Sequence, residues 1–87
     1  MESCMPAVRD DLVLRRIGEE TLILDRAGER IHQLNETASH VWSRCDGRTA
    51  RSVVAQELAT QYGVSSADAA RDIEVLLSQL RQLGLLL

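Results

Sequence analysis

Histidine and cysteine side chains are the residue types here that could bind a transition metal, but their spacing does not favour a site. The chain has His32, His40, Cys4 and Cys45, and these residues form neither a C-x-x-C nor an H-x₃-H pair. We expect His40 at a surface or boundary position and His32 on a strand. The sequence therefore predicts neither a metal ion nor a cofactor.

Cys45 next to Asp46 is an arrangement that could suggest nucleophilic catalysis. Cys45 shares a helical apolar face with Val41 and Trp42, where a cysteine usually packs as a small hydrophobic side chain. The sequence also has no P-loop, no G-x-G-x-x-G pattern and no serine elbow. We therefore expect a buried, structural Cys45 and no enzymatic activity.

The composition is that of one small domain with an aliphatic core. The 87 residues are 45% hydrophobic, with thirteen leucines, no phenylalanine and a formal net charge of −3. Thirteen acidic residues against ten arginines lack the positive excess of a chain that neutralises many nucleic-acid phosphates. Two cysteines are too few to indicate a disulfide framework, so we expect both to be reduced.

The start of the chain indicates neither export nor membrane insertion. It carries no basic segment followed by an apolar run, and no stretch reaches the roughly 18 apolar residues of a membrane-spanning helix. We therefore expect a cytoplasmic protein that does not bind membranes. Residues 1–11, which contain Pro6, are predicted to be a flexible N-terminal arm, and residues 12–87 the domain.

Three short aliphatic runs predict three strands joined by turns. Leu12 to Arg16 and Glu20 to Asp25 flank a turn over residues 17–19, and a second turn with Gly28 leads to Arg30 to Leu34. If neighbours in sequence pair in space, the strands form an antiparallel sheet. The third strand then lies at an edge with unpaired backbone groups.

Three helices follow the strands, each with start and stop signals. Asn35 is expected to cap the first helix, which Asp46-Gly47 ends; Thr49 is expected to cap the second, from Ala50 to Tyr62. Ser65 or Ser66 is expected to cap a third helix that runs to about Leu83. On a helical wheel the apolar face of this third helix comprises Ala69, Ala70, Ile73, Leu76, Leu77, Leu80 and Leu83, with Val75 nearly opposite.

This order of elements predicts an α+β domain similar to a winged helix-turn-helix, with a three-stranded antiparallel sheet followed by three helices. Two functions suit it. A DNA-binding regulator would use the third helix for recognition, but Asp68, Asp72 and Glu74 there outnumber Arg71. The other function is peptide capture, in which an extended partner adds to the exposed third strand.

One segment resembles a known family. Leu34-Asn35-Glu36-Thr37-Ala38, Val41-Trp42 and Cys45-Asp46-Gly47 resemble the LNxTAxxIWxxCDG signature of PqqD-like proteins. The resemblance continues through Leu58 and Tyr62 to Asp72-Ile73 and ends at Gly84-Leu85-Leu86.

The resemblance implies a RiPP recognition element, a domain that binds the leader segment of a ribosomally synthesised precursor peptide. Such a chaperone presents the precursor to a modifying enzyme, often of the radical S-adenosylmethionine type, and does not itself catalyse. The pathway stays open between pyrroloquinoline quinone and other modified peptides, because the aromatic-rich first hairpin of the quinone subgroup is absent.

In the family the leader adds as a strand beside the third strand and lies against the third helix. Carried over to this chain, the predicted peptide-binding residues are Arg30, Ile31, His32, Gln33, Leu34, Asp72, Val75, Leu76, Gln79 and Leu83. Arg30 and His32 are expected to read acidic leader positions. The exposed edge also allows either a monomer or a strand-exchanged dimer.

Overall fold

The computed structural model describes residues 3–87 and contains three strands followed by three helices. The strands form one antiparallel sheet in the order β1-β2-β3, and the helices cover one of its faces. The predicted α+β arrangement is confirmed. The elements are β1 (Val13–Ile17), β2 (Glu20–Asp25), β3 (Arg30–Leu34), α1 (Glu36–Ser43), α2 (Arg51–Tyr62) and α3 (Ser66–Gln82).

The turn between β1 and β2 has two residues rather than the three expected. Ile17 belongs to β1 and pairs with Glu20, which leaves Gly18 and Glu19 as the loop. Gly18 has a φ of +60° and stands at the first central position, where a type II′ turn requires a residue without a Cβ. Because the loop contains only two residues, β1 ends at Ile17, one residue later than the sequence predicted.

Asp25 organises the turn between β2 and β3. Its Oδ1 accepts a hydrogen bond of 3.1 Å from the Gly28 amide, and a Cβ on residue 28 would lie 2.8 Å from Asp25 Oδ2. Glycine is therefore the residue that fits at position 28. The turn ends at Glu29, with φ +55°, and delivers the chain into β3.

Helix α1 begins as predicted and ends earlier than predicted. The Asn35 side chain accepts a hydrogen bond of 2.9 Å from the Ala38 amide. The helix ends at Ser43 rather than at Asp46-Gly47. The Asp46 carboxylate accepts hydrogen bonds from the amides of Arg48 and Thr49, which holds this stretch as a turn.

The expected cap of α2 is wrong, whereas its end is as predicted. Ala50 occupies the cap position without a side-chain hydrogen bond, because the Thr49 hydroxyl donates to Asp46 Oδ2 at 2.7 Å instead. Gly63 ends the helix in the left-handed conformation that favours glycine.

Helix α3 has the predicted cap and a narrower buried face than predicted. Ser65 Oγ accepts a hydrogen bond from the Asp68 amide at 3.1 Å. Four residues of the wheel prediction are buried, whereas Leu76 is half-buried and Ala70 and Leu83 are exposed. The buried four are Ala69, Ile73, Leu77 and Leu80.

The N-terminal segment packs against the domain from Ser3 onward, which differs from the flexible arm expected for residues 1–11. The Met5 side chain is 1% exposed within the core, and its amide donates to the Thr49 carbonyl at 2.7 Å. The Arg9 amide donates to the Leu85 carbonyl, which ties this segment to the end of the chain. Residues 1 and 2, also part of the expected arm, lie outside the described residues.

Candidate functional site

Strand β3 has a neighbour on one side, so its other edge is open. A two-residue turn closes on a hydrogen-bonded pair, which here is Ile17 with Glu20, so the backbone N–H and C=O groups of Glu20 point to β1. Along a strand, successive residues direct these groups to opposite sides. Odd-numbered residues of β2 therefore bond to even-numbered residues of β3. This leaves the N–H and C=O groups of Ile31 and Gln33 directed toward the open side.

The side chains of β3 divide between the two faces of the sheet. Leu34 is buried against the helices, and His32 is half-buried on the same face. The Nε2 atom of His32 is buried without a hydrogen-bond partner among the described residues. On the outer face Ile31 is 71% exposed, and Gln33 Nε2 donates to Glu20 Oε1 at 2.5 Å.

The hairpin end of β3 is held by an ion pair that the sequence did not indicate. Arg9 donates through Nη1 to Asp25 Oδ2 at 3.1 Å and through Nη2 to Oδ1 at 3.2 Å. The Arg9 guanidinium, followed by the Gly28 amide, lowers the pKa of the buried Asp25 carboxyl below its ordinary value. Asp25 pairs with Arg30 across the sheet, so this charge cluster lies at the first residue of the open strand.

A cleft of about 260 Å³ lies between the start of α1 and one flank of α3. We call it the α3 cleft; its lining residues are Asn35, Thr37, Asp72, Val75, Leu76 and Gln79. Four of the five residues predicted on the third helix therefore lie together. Leu83, the fifth, caps the end of α3, is 37% exposed and does not line this cleft.

The α3 residues that line the α3 cleft share one flank of the helix because of their spacing. Val75 and Leu76 lie three and four residues after Asp72, and Gln79 lies four and three residues after them, so all four share one flank next to the buried stripe. Val75, which the wheel placed outside the core, is 56% exposed.

Asn35 and Thr37 also line the α3 cleft, and sequence reasoning did not assign them to the site. Asn35 directly follows the last residue of β3, so its place between the strand and the helix was the available signal.

Cys45 is a packing residue in this fold. It is 5% exposed, and its Sγ donates to the Val41 carbonyl at 3.3 Å. Burial, with the nearby Asp46 charge, raises the pKa of the thiol to about 11. Such a thiol is not a nucleophile at neutral pH.

His40 lies at a partly buried boundary position between α1 and α2. Its Nε2 is 3.0 Å from Glu57 Oε1, and Glu57 also accepts two hydrogen bonds from Arg44. Within residues 3–87 no group of three or more histidine, cysteine or acidic side chains could hold a metal ion.

Comparison with known proteins identifies the family. The family described as Coenzyme PQQ synthesis protein D (PqqD) matches residues 20–86, which include β3, all three helices and every predicted peptide-binding residue. This chain belongs to the PqqD family. No curated protein sequence matches it significantly.

Three solved structures are similar to this PqqD-family chain. A lasso peptide synthetase B1 complexed with its leader peptide is 30% identical, with a TM-score of 0.82 over 92% of this chain and 94% of that chain. The PqqD truncation of Methylobacterium extorquens PqqCD, a RiPP recognition element, is 28% identical, with a TM-score of 0.76 over 94% and 87%.

The third similar structure is TbiB1 in complex with the TbiA(beta) leader peptide. It is 21% identical, with a TM-score of 0.82 over 92% of this chain and 93% of that chain. At that identity the similarity shows a shared PqqD-like fold. In the residues described here no helix combines the length and apolarity needed to cross a bilayer.

Proposed function

We propose that this chain is a non-catalytic peptide chaperone that captures the leader of a ribosomally synthesised precursor by strand addition at β3. The observation that carries the proposal is the position of the α3 cleft, which begins at Asn35, directly after the open strand. The family match and the solved relatives with bound leader peptides support it.

The open edge would supply affinity and the cleft would supply selectivity. A leader strand beside β3 would pair with the backbone groups of Ile31 and Gln33. Alternate leader side chains would then point toward the helices and meet Val75, Leu76 and Gln79. Because backbone pairing is common to all sequences, the choice of leader would depend on these side-chain contacts.

The remaining predicted site residues take different places in this proposal. Arg30 and His32 would read acidic leader positions near the hairpin end, where His32 also has an unpartnered nitrogen. Leu34 is buried and would hold β3 on the helices, and Leu83 would border the far end of α3.

The chain with its bound leader would have a second partner, a peptide-modifying enzyme in the cytoplasm. This enzyme would be of the radical S-adenosylmethionine type or another RiPP-modifying class. The chain would deliver the bound leader and supply neither a cofactor nor a catalytic residue. The precursor would belong to pyrroloquinoline quinone or a related peptide pathway. The free chain would be a monomer or a strand-exchanged dimer.

The DNA-binding alternative is not favoured by the charges of α3. Arg71 is the basic residue in its first half, and it forms an ion pair with Asp68. Glu74 pairs with Arg51 at 2.7 Å, and Asp72 lines the α3 cleft. A recognition helix with this acidic surface would repel phosphates.

Proline at position 31 tests strand addition directly. Ile31→Pro removes the outward N–H of β3 without removing a bond to β2, so the fold should persist while leader binding weakens tenfold or more, about 1.4 kcal/mol. Isothermal titration with the synthetic leader of the cognate precursor measures the affinity, and thermal melting checks the fold.

Two matched variants serve as controls for that experiment. Ile31→Ala removes the side chain and keeps the N–H, and Leu14→Pro makes the same backbone change at the opposite edge of the sheet. Both should bind the leader within about threefold of the unchanged chain. Unchanged affinity in a folded Ile31→Pro variant would contradict strand addition at β3.

A further inference from the structure

Strand β1 is a second open edge of the sheet. Within the part of the chain that the structure describes it pairs with β2 alone, and all five of its residues are exposed. The pairing that directs Ile31 and Gln33 outward on β3 also leaves the N–H and C=O groups of Leu14 and Arg16 directed away from β2. These two residues also turn their side chains to the helix side of the sheet, opposite Ile23 and Thr21.

A cleft of about 410 Å³ adjoins this edge. We call it the α1 cleft, because β1 forms one wall and α1 the other; its lining residues include Leu14, Arg15, Arg16, Trp42 and Ser43. Trp42 is 6% exposed and forms an apolar base of the cleft. Leu14 on the β1 side is 50% exposed, so half of this apolar side chain is not covered by the domain. An edge strand beside a helix-walled cleft thus occurs twice in this fold.

The two clefts differ in charge. Arg15 and Arg16 line the α1 cleft, and among residues 3–87 no acidic residue lines it. Arg16 pairs with Glu19 at 3.5 Å on the exposed surface, where such a pair contributes little, and no ion pair is described for Arg15 within residues 3–87. The α3 cleft instead has Asp72 as its charged lining residue. The cleft wall beside β1 is therefore basic, whereas the α3 cleft is acidic and the basic residues at the other open edge lie on β3 itself.

We propose that β1 and the α1 cleft form a second strand-addition site, which binds an extended segment with two adjacent acidic side chains, one for Arg15 and one for Arg16, flanked by apolar side chains. We assign this segment to the modifying enzyme, an assignment that rests on the proposed function. With the leader on β3 and the enzyme segment on β1, both partners would join one sheet of five strands. The chain would hold them about 15 to 20 Å apart, at roughly 4.8 Å per strand.

A second copy of this chain is a poorer occupant of the β1 edge. Antiparallel pairing of two β1 strands centred on this pair of residues would place Arg15 opposite Arg15 or Arg16 opposite Arg16, according to the register. Like charges across a strand pair are destabilising, and charged edge residues protect sheets from self-association. An acidic segment gains from the same arginines.

A random library of twelve-residue peptides displayed on phage tests the site without knowledge of the partner. Selection on the unchanged chain should enrich peptides with two adjacent acidic residues flanked by apolar ones. On titration into ¹⁵N-labelled protein, these peptides should shift the amides of Leu14, Arg16 and Ser43. They should compete with the cognate modifying enzyme and leave leader binding unchanged.

Variants at the two edges separate the two proposals. Leu14→Pro, or Arg15→Glu with Arg16→Glu, should weaken the acidic peptides at least tenfold and leave leader binding within threefold. Ile31→Pro should do the reverse, and Arg15→Lys with Arg16→Lys should retain most binding of the acidic peptides. Thermal melting checks the fold of each variant. If Leu14→Pro unfolds, the comparison of the double glutamate variant with the double lysine variant replaces it.

Three results would overturn the second site. One is a selection in which no peptide shifts β1 amides, and another is binding that persists after the arginines become glutamates. The third is a β1-binding peptide that competes with the leader rather than with the enzyme. A leader that fails to bind anywhere would instead overturn the proposed function.

Discussion

Arg9 joins the N-terminal segment to the hairpin that carries β3. Its guanidinium contacts Asp25 and also Asp11, 2.8 Å away, and it donates to the Gly84 carbonyl at 3.0 Å. One side chain therefore connects the start of the domain, the β2–β3 hairpin and the end of the chain. The geometry of the open strand depends on a residue that lies outside the strand.

We expect the Arg9→Gln variant to lose less stability than the unchanged chain on acidification. Arg9 lowers the pKa values of the Asp11 and Asp25 carboxyls below the ordinary 3.8. The folded state therefore gains stability from both carboxylates above that value, and loses it as pH falls through the lowered pKa values. Urea denaturation at pH 5 and pH 2 measures the difference.

Arg81→Gln is the control for this experiment, since no ion pair is described for Arg81 in residues 3–87. Its stability should fall between the two pH values as in the unchanged chain. An equally steep fall in Arg9→Gln would show that Arg9 does not hold the two carboxyls.

The two cysteines should react very differently with iodoacetamide at pH 8. Cys4 is exposed, whereas Cys45 is buried and its pKa is raised to about 11. At pH 8 about a thousandth of the Cys45 thiol would be ionised, even before access is considered. Mass spectrometry should find one label on the native chain, at Cys4, and two labels in urea. Rapid native labelling of Cys45 would show that the core opens at α1.

Helix α3 presents two neighbouring stripes, one packed in the core and one lining the α3 cleft. Ile73 and Leu77 are 1% exposed and hold the helix in the core, whereas Asp72 and Val75 line the α3 cleft. A substitution on the second stripe should therefore change binding without unfolding the domain.

Val75→Asp should weaken leader binding about tenfold and change the free energy of unfolding by less than about 1 kcal/mol. The new carboxylate would be desolvated by the leader and would add a like charge near Asp72. Isothermal titration measures the affinity and urea denaturation the stability. Val53→Asp is the matched control, because Val53 is 48% exposed on α2, outside the α3 cleft. Equal effects of the two variants would argue against the α3 cleft as the leader site.

At the level of the whole molecule, charge separates peptide binding from DNA binding. The chain has a formal net charge of −3, and several of its arginines already pair with carboxylates, among them Arg9, Arg44, Arg51 and Arg71. These carboxylates reduce the positive charge that is available to neutralise phosphates.

We expect leader affinity to change less than about threefold between 50 and 200 mM salt. A protein with six or more phosphate contacts loses about a thousandfold in affinity over this range. Fluorescence anisotropy with a labelled leader, and with a labelled DNA duplex in parallel, measures both. Tight duplex binding at 50 mM salt that disappears at 200 mM would restore the DNA-binding alternative.

Local signals in the sequence were sufficient for most of the fold. The caps Asn35 and Ser65 were predictable because each acts on backbone groups three residues away. The Thr49 prediction failed because the Asp46 carboxylate competes for the same hydroxyl. The packing of residues 3–11 was not predictable either, since it depends on contacts with Thr49 and Leu85 far along the chain.

The sequence by itself determined the order of the elements and the family signature, because periodicity, caps and turns act over a few residues. It also placed Val75 on the exposed flank of α3. Only the tertiary structure decided that Asn35 and Thr37 share a cleft with that flank. The α1 cleft and the Arg9–Asp25 ion pair likewise appear only when distant segments meet. Side chains far apart in sequence meet where helices and strands pack, and no local pattern encodes their distance.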